Sequence, residues 1–479
     1  MSDTPRRPIL VLLTSHWISM LGVALATTAG FSWLFALPIQ LRGHTNNPYI
    51  GIVVFILIPI ILVAGLALIA LGIFLGRRRI EHLEEGLMEA QRRAAIRKFA
   101  IFFAVMSVIN IVIGTQGTYR AVGYMETVQF CGQSCHVMKP EFSAHQNSPH
   151  LKVECVDCHV SPGAAGWLQS KMTGSRQFID VVFNRYHRPI ESAMASNRLV
   201  PSRLTCEQCH WPQKFDSVKF RVIYHFQDDA NNTQTQTALM MFTGGGELGG
   251  IHGKHFGPGV EIHYAASDTA RQTIPWVEYR NRNTGEVRTF LAQDSTTKSV
   301  SGLARHQMQC VDCHNRPTHT FELPERAVDS AMGLGRISPT LPFIKKKAIE
   351  LLKAKYSSNE EASRIIPAEI TRFYRDTDPL VPARPDDVSN AGAEIAAIYN
   401  RNVFPDLKVT WGTYPNNLGH TDFPGCFRCH DGSHSTADQK MTITQDCNTC
   451  HEPLAVEEAA PEVLKTLGLA NRITSLQKK

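Results

Sequence analysis

All 12 cysteines of this chain fall in Cys-spacer-Cys-His units. The six units are Cys131-Gly-Gln-Ser-Cys135-His136, Cys155-Val-Asp-Cys158-His159, Cys206-Glu-Gln-Cys209-His210, Cys310-Val-Asp-Cys313-His314, Cys426-Phe-Arg-Cys429-His430 and Cys447-Asn-Thr-Cys450-His451. Two thiols followed at once by an imidazole form the attachment signature of a c-type haem. The thiols add across the two vinyl groups, and the adjacent histidine reaches the iron as its proximal ligand. Disulfides or tetrahedral zinc sites would also use paired cysteines. Neither explains a histidine after the second cysteine of every unit with no cysteine left over. The sequence therefore predicts six covalently attached haem c groups, with His136, His159, His210, His314, His430 and His451 on the irons.

A low-spin haem needs a second axial ligand. Of the 20 histidines, six are in the units, and His16, His44 and His82 lie in or near the N-terminal apolar runs. The remainder are His145, His150, His187, His225, His252, His255, His263, His306, His319, His420 and His434, more than the irons require. His319 and His434 follow their own units within five residues, too close to reach the far face of the same iron, so each is expected to cap a neighbouring haem. The strongest distal candidates are His150, His319, His420 and His434, followed by His145, His187 and His252. Bis-histidine ligation keeps a potential low and methionine raises it.

The elements that must carry these units begin with a membrane region. Residues 9–37 and 50–75 are apolar runs long enough for a bilayer, which needs about 20 residues; 99–117 is a shorter third. His16 is alone inside a span, so no b-type haem is expected. Arg6 and Arg7 precede the first run, and Arg77, Arg78, Arg79, Arg92, Arg93, Arg97 and Lys98 lie between the second and third. The positive-inside rule puts both basic segments in the cytoplasm. Three crossings then place everything after residue 117 outside, in the periplasm. The first run is longer than a signal-peptide core of about 7–15 residues, which favours an uncleaved anchor. Residues 77–98 are expected to form a helical hairpin element at the cytoplasmic surface.

Beyond the membrane region, alternating patterns at 220–226 and 260–264, and at 276–279 and 287–291 around Asn283-Thr-Gly-Glu286, predict strands. The glycine-rich stretch 244–250 lacks the phosphate-loop pattern and is expected to be a bent loop packed against haem. Residues 342–356 and 359–375 read as helices. The predicted fold is a membrane-anchored multihaem cytochrome with three N-terminal transmembrane helices. Its mostly α and irregular periplasmic region is packed on haem and carries a small β insertion. The expected divisions are 1–117 (membrane), 118–215 (haems 1–3), 216–305 (β insertion), 306–330 (haem 4), 331–415 (helical) and 416–479 (haems 5 and 6).

A membrane helix running almost directly into Cys131, followed by His136-Val-Met138, resembles the quinol-oxidising NapC/NirT/NrfH family over roughly residues 99–215. The wider pattern is similar to inner-membrane multihaem cytochromes of metal-reducing bacteria. It includes Cys206-Glu-Gln-Cys-His-Trp-Pro212, Cys310-Val-Asp-Cys-His-Asn-Arg-Pro-Thr-His319 and Gly425-Cys-Phe-Arg-Cys-His-Asp-Gly-Ser-His434. The resemblance implies that Met138, rather than His136, ligates the first iron, and the longer first spacer agrees. It also implies a quinol site at Lys171, with Asp180 the nearest acidic residue although offset from the family position. Quinol oxidation releases two protons with two electrons, so a proton-accepting group is useful there.

The expected function is (mena)quinol oxidation with electrons passed to periplasmic cytochromes or other redox proteins. The partners are membrane quinol, those acceptors and the lipid bilayer, with no nucleic acid. Two other readings are a terminal reductase with one open haem iron and a non-catalytic anchor in a larger complex.

Overall fold

The structure is a computed structural model that describes residues 13, 16–40, 57–80, 85–193, 199–211, 215, 218–245, 249–376 and 384–469. It divides into two compact units, 1–136 and 137–479.

Among the described residues, the long helices of the first unit are α1 (Trp17–Gln40), α2 (Ile58–Ile80) and α3 (Glu85–Met125). Two stretches, Ile58–Gly76 and Arg93–Met125, are long and apolar enough to cross a membrane, and Trp17–Ser32 is a shorter apolar stretch. Leu66, Phe74, Val108 and Ile111 are exposed on these helices, as suits a surface solvated by lipid tails. Lipid supplies no hydrophobic drive between helices, so helix pairing there depends on close backbone approach at small residues. Gly22 and Gly65 provide it: a Cβ on Gly22 would lie 2.6 Å from the Gly65 carbonyl oxygen. The first expected span begins at residues outside the described ones. The third lies within α3, which runs unbroken for 41 residues. Instead of a separate hairpin across 77–98, the basic segment is divided between the end of α2 and the first turns of α3, with 81–84 outside the described residues. Glu, Ala, Gln and Arg dominate the start of α3, and all favour helix.

The second unit opens with α4 (Lys139–Gln146), α5 (Cys155–His159) and α6 (Ala164–Val182). Two antiparallel sheets follow. One has the order β1 (Lys219–Phe226), β2 (Gln234–Met241), β7 (His451–Glu458). The other has the order β5 (Glu286–Leu291), β4 (Trp276–Asn281), β3 (Val260–Ala265), β6 (Arg305–Gln307). Short helices α7 (Gly250–Phe256), α8 (Thr297–Val300) and α9 (Cys310–Cys313) lie between or beside the strands. The expected strands at 220–226, 260–264, 276–279 and 287–291 are the cores of β1, β3, β4 and β5. The β4–β5 hairpin pairs Asn281 with Glu286 around the predicted turn. Polar β2 and acidic β7 carry no clear alternation. They are strands because Ala238 on β2 and Ala455 on β7 pack together with Leu464, a pairing across more than 200 residues of chain. Thus a strand from the C-terminal segment completes the sheet that the β insertion begins.

Residues 324–402 bear no haem motif and build an ordinary apolar core. Helices α10 (Pro324–Gly333), α11 (Ile344–Lys353), α12 (Asn359–Asp376) and α13 (Pro385–Asn402) bury Ile344, Leu352, Ile366, Ile370, Ile395 and Ile398. The helices expected at 342–356 and 359–375 are α11 and α12. The Asp329 carboxylate on α10 accepts from Lys345 Nζ on α11 at 2.7 Å and from the Phe226 backbone N–H at 3.2 Å, which ties the helical module to β1. A final short helix, α14 (Glu462–Thr466), follows β7.

Candidate haem centres

Each motif begins on a short helical turn. The second and fourth lie on α5 and α9, and the third, fifth and sixth on 3₁₀ turns at Cys206–Gln208, Gly425–Arg428 and Cys447–Thr449. The first, with one extra spacer residue, lies on a π turn at Phe130–Ser134. A π turn takes one residue more than an α turn, as the longer spacer does, and Cys135 follows it in extended backbone. The backbone N–H of His210, His314 and His430 donates to the carbonyl of the first cysteine of its motif at 2.8, 2.8 and 3.0 Å. Among the described residues no disulfide forms.

Five motif histidines stand ring to ring with a second histidine. The centroid separations are 6.2 Å for His159–His319, 6.0 Å for His150–His210, 6.2 Å for His252–His314, 5.9 Å for His255–His430 and 6.0 Å for His420–His451. A metal–imidazole bond is about 2.0–2.1 Å, and the ring centre lies about 1.1 Å behind the nitrogen, so two imidazoles on one metal have centroids roughly 6.3 Å apart. The pairs therefore fit an iron between them. Hydrogen bonds also orient the rings. The Nδ1 atoms of His252, His255, His319 and His430 lie 2.9, 2.7, 3.1 and 2.8 Å from the carbonyls of Thr243, Ile251, Glu141 and Thr444. Donation from Nδ1 leaves Nε2 as the bare nitrogen that a metal takes. Burial pushes His159, His255, His314 and His319 below the ordinary imidazole range, which favours the neutral form that ligation requires.

Three of the four leading distal candidates, His150, His319 and His420, stand in these pairs, and so does His252. His434 does not. It is 2% exposed, with Nδ1 2.8 Å from Asp431 Oδ1 and Nε2 2.7 Å from the Ile274 carbonyl. Both ring nitrogens are thus spent on protein partners, and the histidine facing the fifth motif is His255, which is not among the leading candidates. The sequence signal was His252-Gly-Lys-His255: two histidines three apart share one face of a helix, and α7 presents one to each of two motifs. His145 is buried with Nε2 3.0 Å from the Val153 carbonyl, and His187 is exposed. The glycine stretch serves α7. Gly249 and Gly250 adopt positive φ, and a Cβ on Gly250 would lie 2.8 Å from the Phe242 carbonyl oxygen.

The attachment cysteines meet in motif order. Cys158 of the second motif lies within electrostatic reach of Cys206 and Cys209 of the third. The Cys206 side chain hydrogen-bonds Cys310 of the fourth. Cys313 is beside Cys426 and Cys429 of the fifth, and Cys450 of the sixth is beside Cys426.

Cys131, Cys135 and His136 end the first unit, while Met138, 36% exposed, lies at the start of the second, at the N-cap of α4. Lys171 and Asp180 both lie on α6. Nine residues make two and a half turns, so they point to opposite sides, about 13.5 Å apart along the axis. A single site holding both, as the sequence suggested, is not formed. Lys171 shares its side with Trp167, Leu168, Phe178 and Val182, all exposed, and its Nζ lies 5.4 Å from the Trp167 ring centre. Asp180 shares the other side with Gln169, Thr173 and Arg176.

Apolar helices, a haem-bearing unit and facing imidazole pairs define the class: a membrane c-type cytochrome with covalently attached haem, made for electron transfer. Residues 93–216 match the model of the NapC/NirT cytochrome c family, N-terminal region. The chain is also 38% identical over 458 residues to the cytochrome c-type protein ImcH of Geobacter sulfurreducens, covering 93% of this chain and 89% of that protein. It belongs to this family of inner-membrane multihaem c-type cytochromes. No solved structure matches it.

Proposed function

We propose that this chain carries six haems, oxidises menaquinol at the periplasmic face of the cytoplasmic membrane, and delivers the electrons to periplasmic cytochromes or other redox proteins. Haem c, when bound, takes up and releases single electrons. The observation that carries the reading is the set of five facing histidine pairs whose attachment cysteines lie near one another in motif order. Such an order supports a relay running from the second motif to the sixth, with His159 and His319, His150 and His210, His252 and His314, His255 and His430, and His420 and His451 as axial pairs. Met138 is assigned to the first iron.

Lys171 supports the quinol end. Its amine lies on the apolar side of an exposed amphipathic helix, where a lipid-soluble donor can reach it and where an amine can take part in quinol proton release. A terminal reductase needs an iron with one open face, and a second imidazole stands opposite five of the six motif histidines, so the relay reading is preferred. Purified protein in lipid should be reduced by a menaquinol analogue, and Lys171→Gln should slow that reduction with haem content unchanged. Absence of reduction in protein carrying all its haems would overturn the proposal.

A further inference from the structure

The second and fourth motifs share the same five residues, Cys-Val-Asp-Cys-His. In both, the aspartate occupies the third position of a short helix and accepts from the N-cap backbone N–H: Glu154 N to Asp157 Oδ2 at 3.2 Å and Gln309 N to Asp312 Oδ2 at 2.7 Å. Locally the two are equivalent, yet their surroundings differ. Asp157 is exposed, whereas Asp312 is 3% exposed and its other oxygen is fully engaged. Tyr264, buried on β3, donates its hydroxyl to Asp312 Oδ1 at 2.5 Å. Arg271 Nη1 reaches that hydroxyl at 2.8 Å and Asp312 Oδ1 at 3.3 Å.

The arrangement is held from both sides. Arg271 has φ of 56°, a left-handed conformation that non-glycine residues adopt only where the surroundings hold it. Its loop is folded around Asp268, which accepts from the backbone N–H groups of Gln272 and Thr273. Arg428, between the two cysteines of the fifth motif, donates to the Asp312 carbonyl at 2.6 Å and to the Arg271 carbonyl at 2.9 Å. The fourth and fifth motifs and a sheet thus converge on one buried residue, Asp312.

We propose that the Asp312–Arg271–Tyr264 cluster sets the reduction potential of the haem at the fourth motif, and so distinguishes that middle carrier from the haem at the second motif despite their identical sequences. A negative charge near an iron favours the ferric state. Inside the protein such a charge acts through a low effective dielectric, whereas the exposed Asp157 charge is screened by water and salt. Arg271 and the Tyr264 hydroxyl offset part of the Asp312 charge. They act as positioning residues through the local field. The inference rests on the reading of the motifs as haem sites.

The test is a spectroelectrochemical titration of the purified full-length protein in lipid, with haem counted per chain. Asp312→Asn should raise the midpoint of one low-spin component, and Arg271→Gln should lower the midpoint of the same component. Each shift should be at least tenfold in the one-electron equilibrium, about 59 mV. Asp157→Asn should leave every component in place. Should Asp312→Asn fail to accumulate, Tyr264→Phe joins Arg271→Gln, and both must shift that component downward. Shifts of one sign for Asp312→Asn and Arg271→Gln, or an unmoved titration in Arg271→Gln with all haems attached, overturn the inference. A wild-type protein with no haem at the fourth motif overturns the haem reading instead.

Discussion

Under the proposed pairing His255 caps the haem of the fifth motif, whereas His434, which the sequence offered as the cap of a neighbouring haem, serves the fold. The two can be separated by mutation. The His255 and His430 rings are 5.9 Å apart, close to the roughly 6.3 Å that two imidazoles on one metal require. Replacing His255 by Ala removes one of the two axial nitrogens and substitutes nothing of comparable affinity. That iron becomes five-coordinate, so one sixth of the haem, by motif count, should turn high-spin. Its potential should rise from the bis-histidine value, and added imidazole should restore the low-spin spectrum. His434→Ala acts on the fold instead. It strands the buried Ile274 carbonyl, at a cost of about 1–3 kcal/mol, and loses a contact to the part-exposed Asp431 that contributes less. Its melting temperature should fall while every haem stays low-spin. Electron paramagnetic resonance and calorimetry on the two variants decide the matter. A high-spin signal in His434→Ala, or its absence in His255→Ala, refutes the pairing.

Other predictions follow from the same contacts. The ring planes of His252–His314 and His420–His451 are 6° and 22° apart, and those of His150–His210 and His255–His430 are 74° and 61° apart; paramagnetic spectra should accordingly hold two rhombic and two strongly anisotropic low-spin signals. Lys345→Met leaves Asp329 buried without its cation and should destabilise the second unit by about 3–5 kcal/mol, read by chemical unfolding. Burial pushes the Asp431 carboxyl up, but hydrogen bonds from His434 and Ser433 outweigh this and hold it down at about 2. Its contribution to stability is therefore present above the unfolded carboxyl pKa of about 3.9 and is lost as pH falls through about 2. Asp431→Asn should flatten the acid-unfolding curve in that window. Cys131→Ser with Cys135→Ser should remove one haem by mass and leave the five facing pairs low-spin.

Much of the site could be read directly from the chain because the chemistry is local. A motif cysteine and its histidine lie within one turn, so their spacing alone carries the attachment geometry. The apolar run inside α3 and the β4–β5 hairpin are legible for the same reason. The distal ligands are different: His319, five residues past the fourth motif, faces the second, and His150, just ahead of the second, faces the third. Those assignments depend on how loops return, and spacing holds no record of it. Lys171 and Asp180 show the converse error, since proximity in sequence placed together two side chains that helix geometry sets on opposite sides.

The Cys-spacer-Cys-His units, the apolar segments and the family resemblance over roughly residues 99–215 are all legible in the chain alone, because bonding chemistry and hydropathy act between near neighbours. Tertiary structure alone decided that His255 meets the fifth motif and that His434 is spent on Asp431 and the Ile274 carbonyl. It alone brought β7 back to β2 and enclosed Asp312 while leaving Asp157 in water. Burial and ring-to-ring contact join residues more than a hundred positions apart, and two identical pentapeptides acquire different fields only through what folds against them.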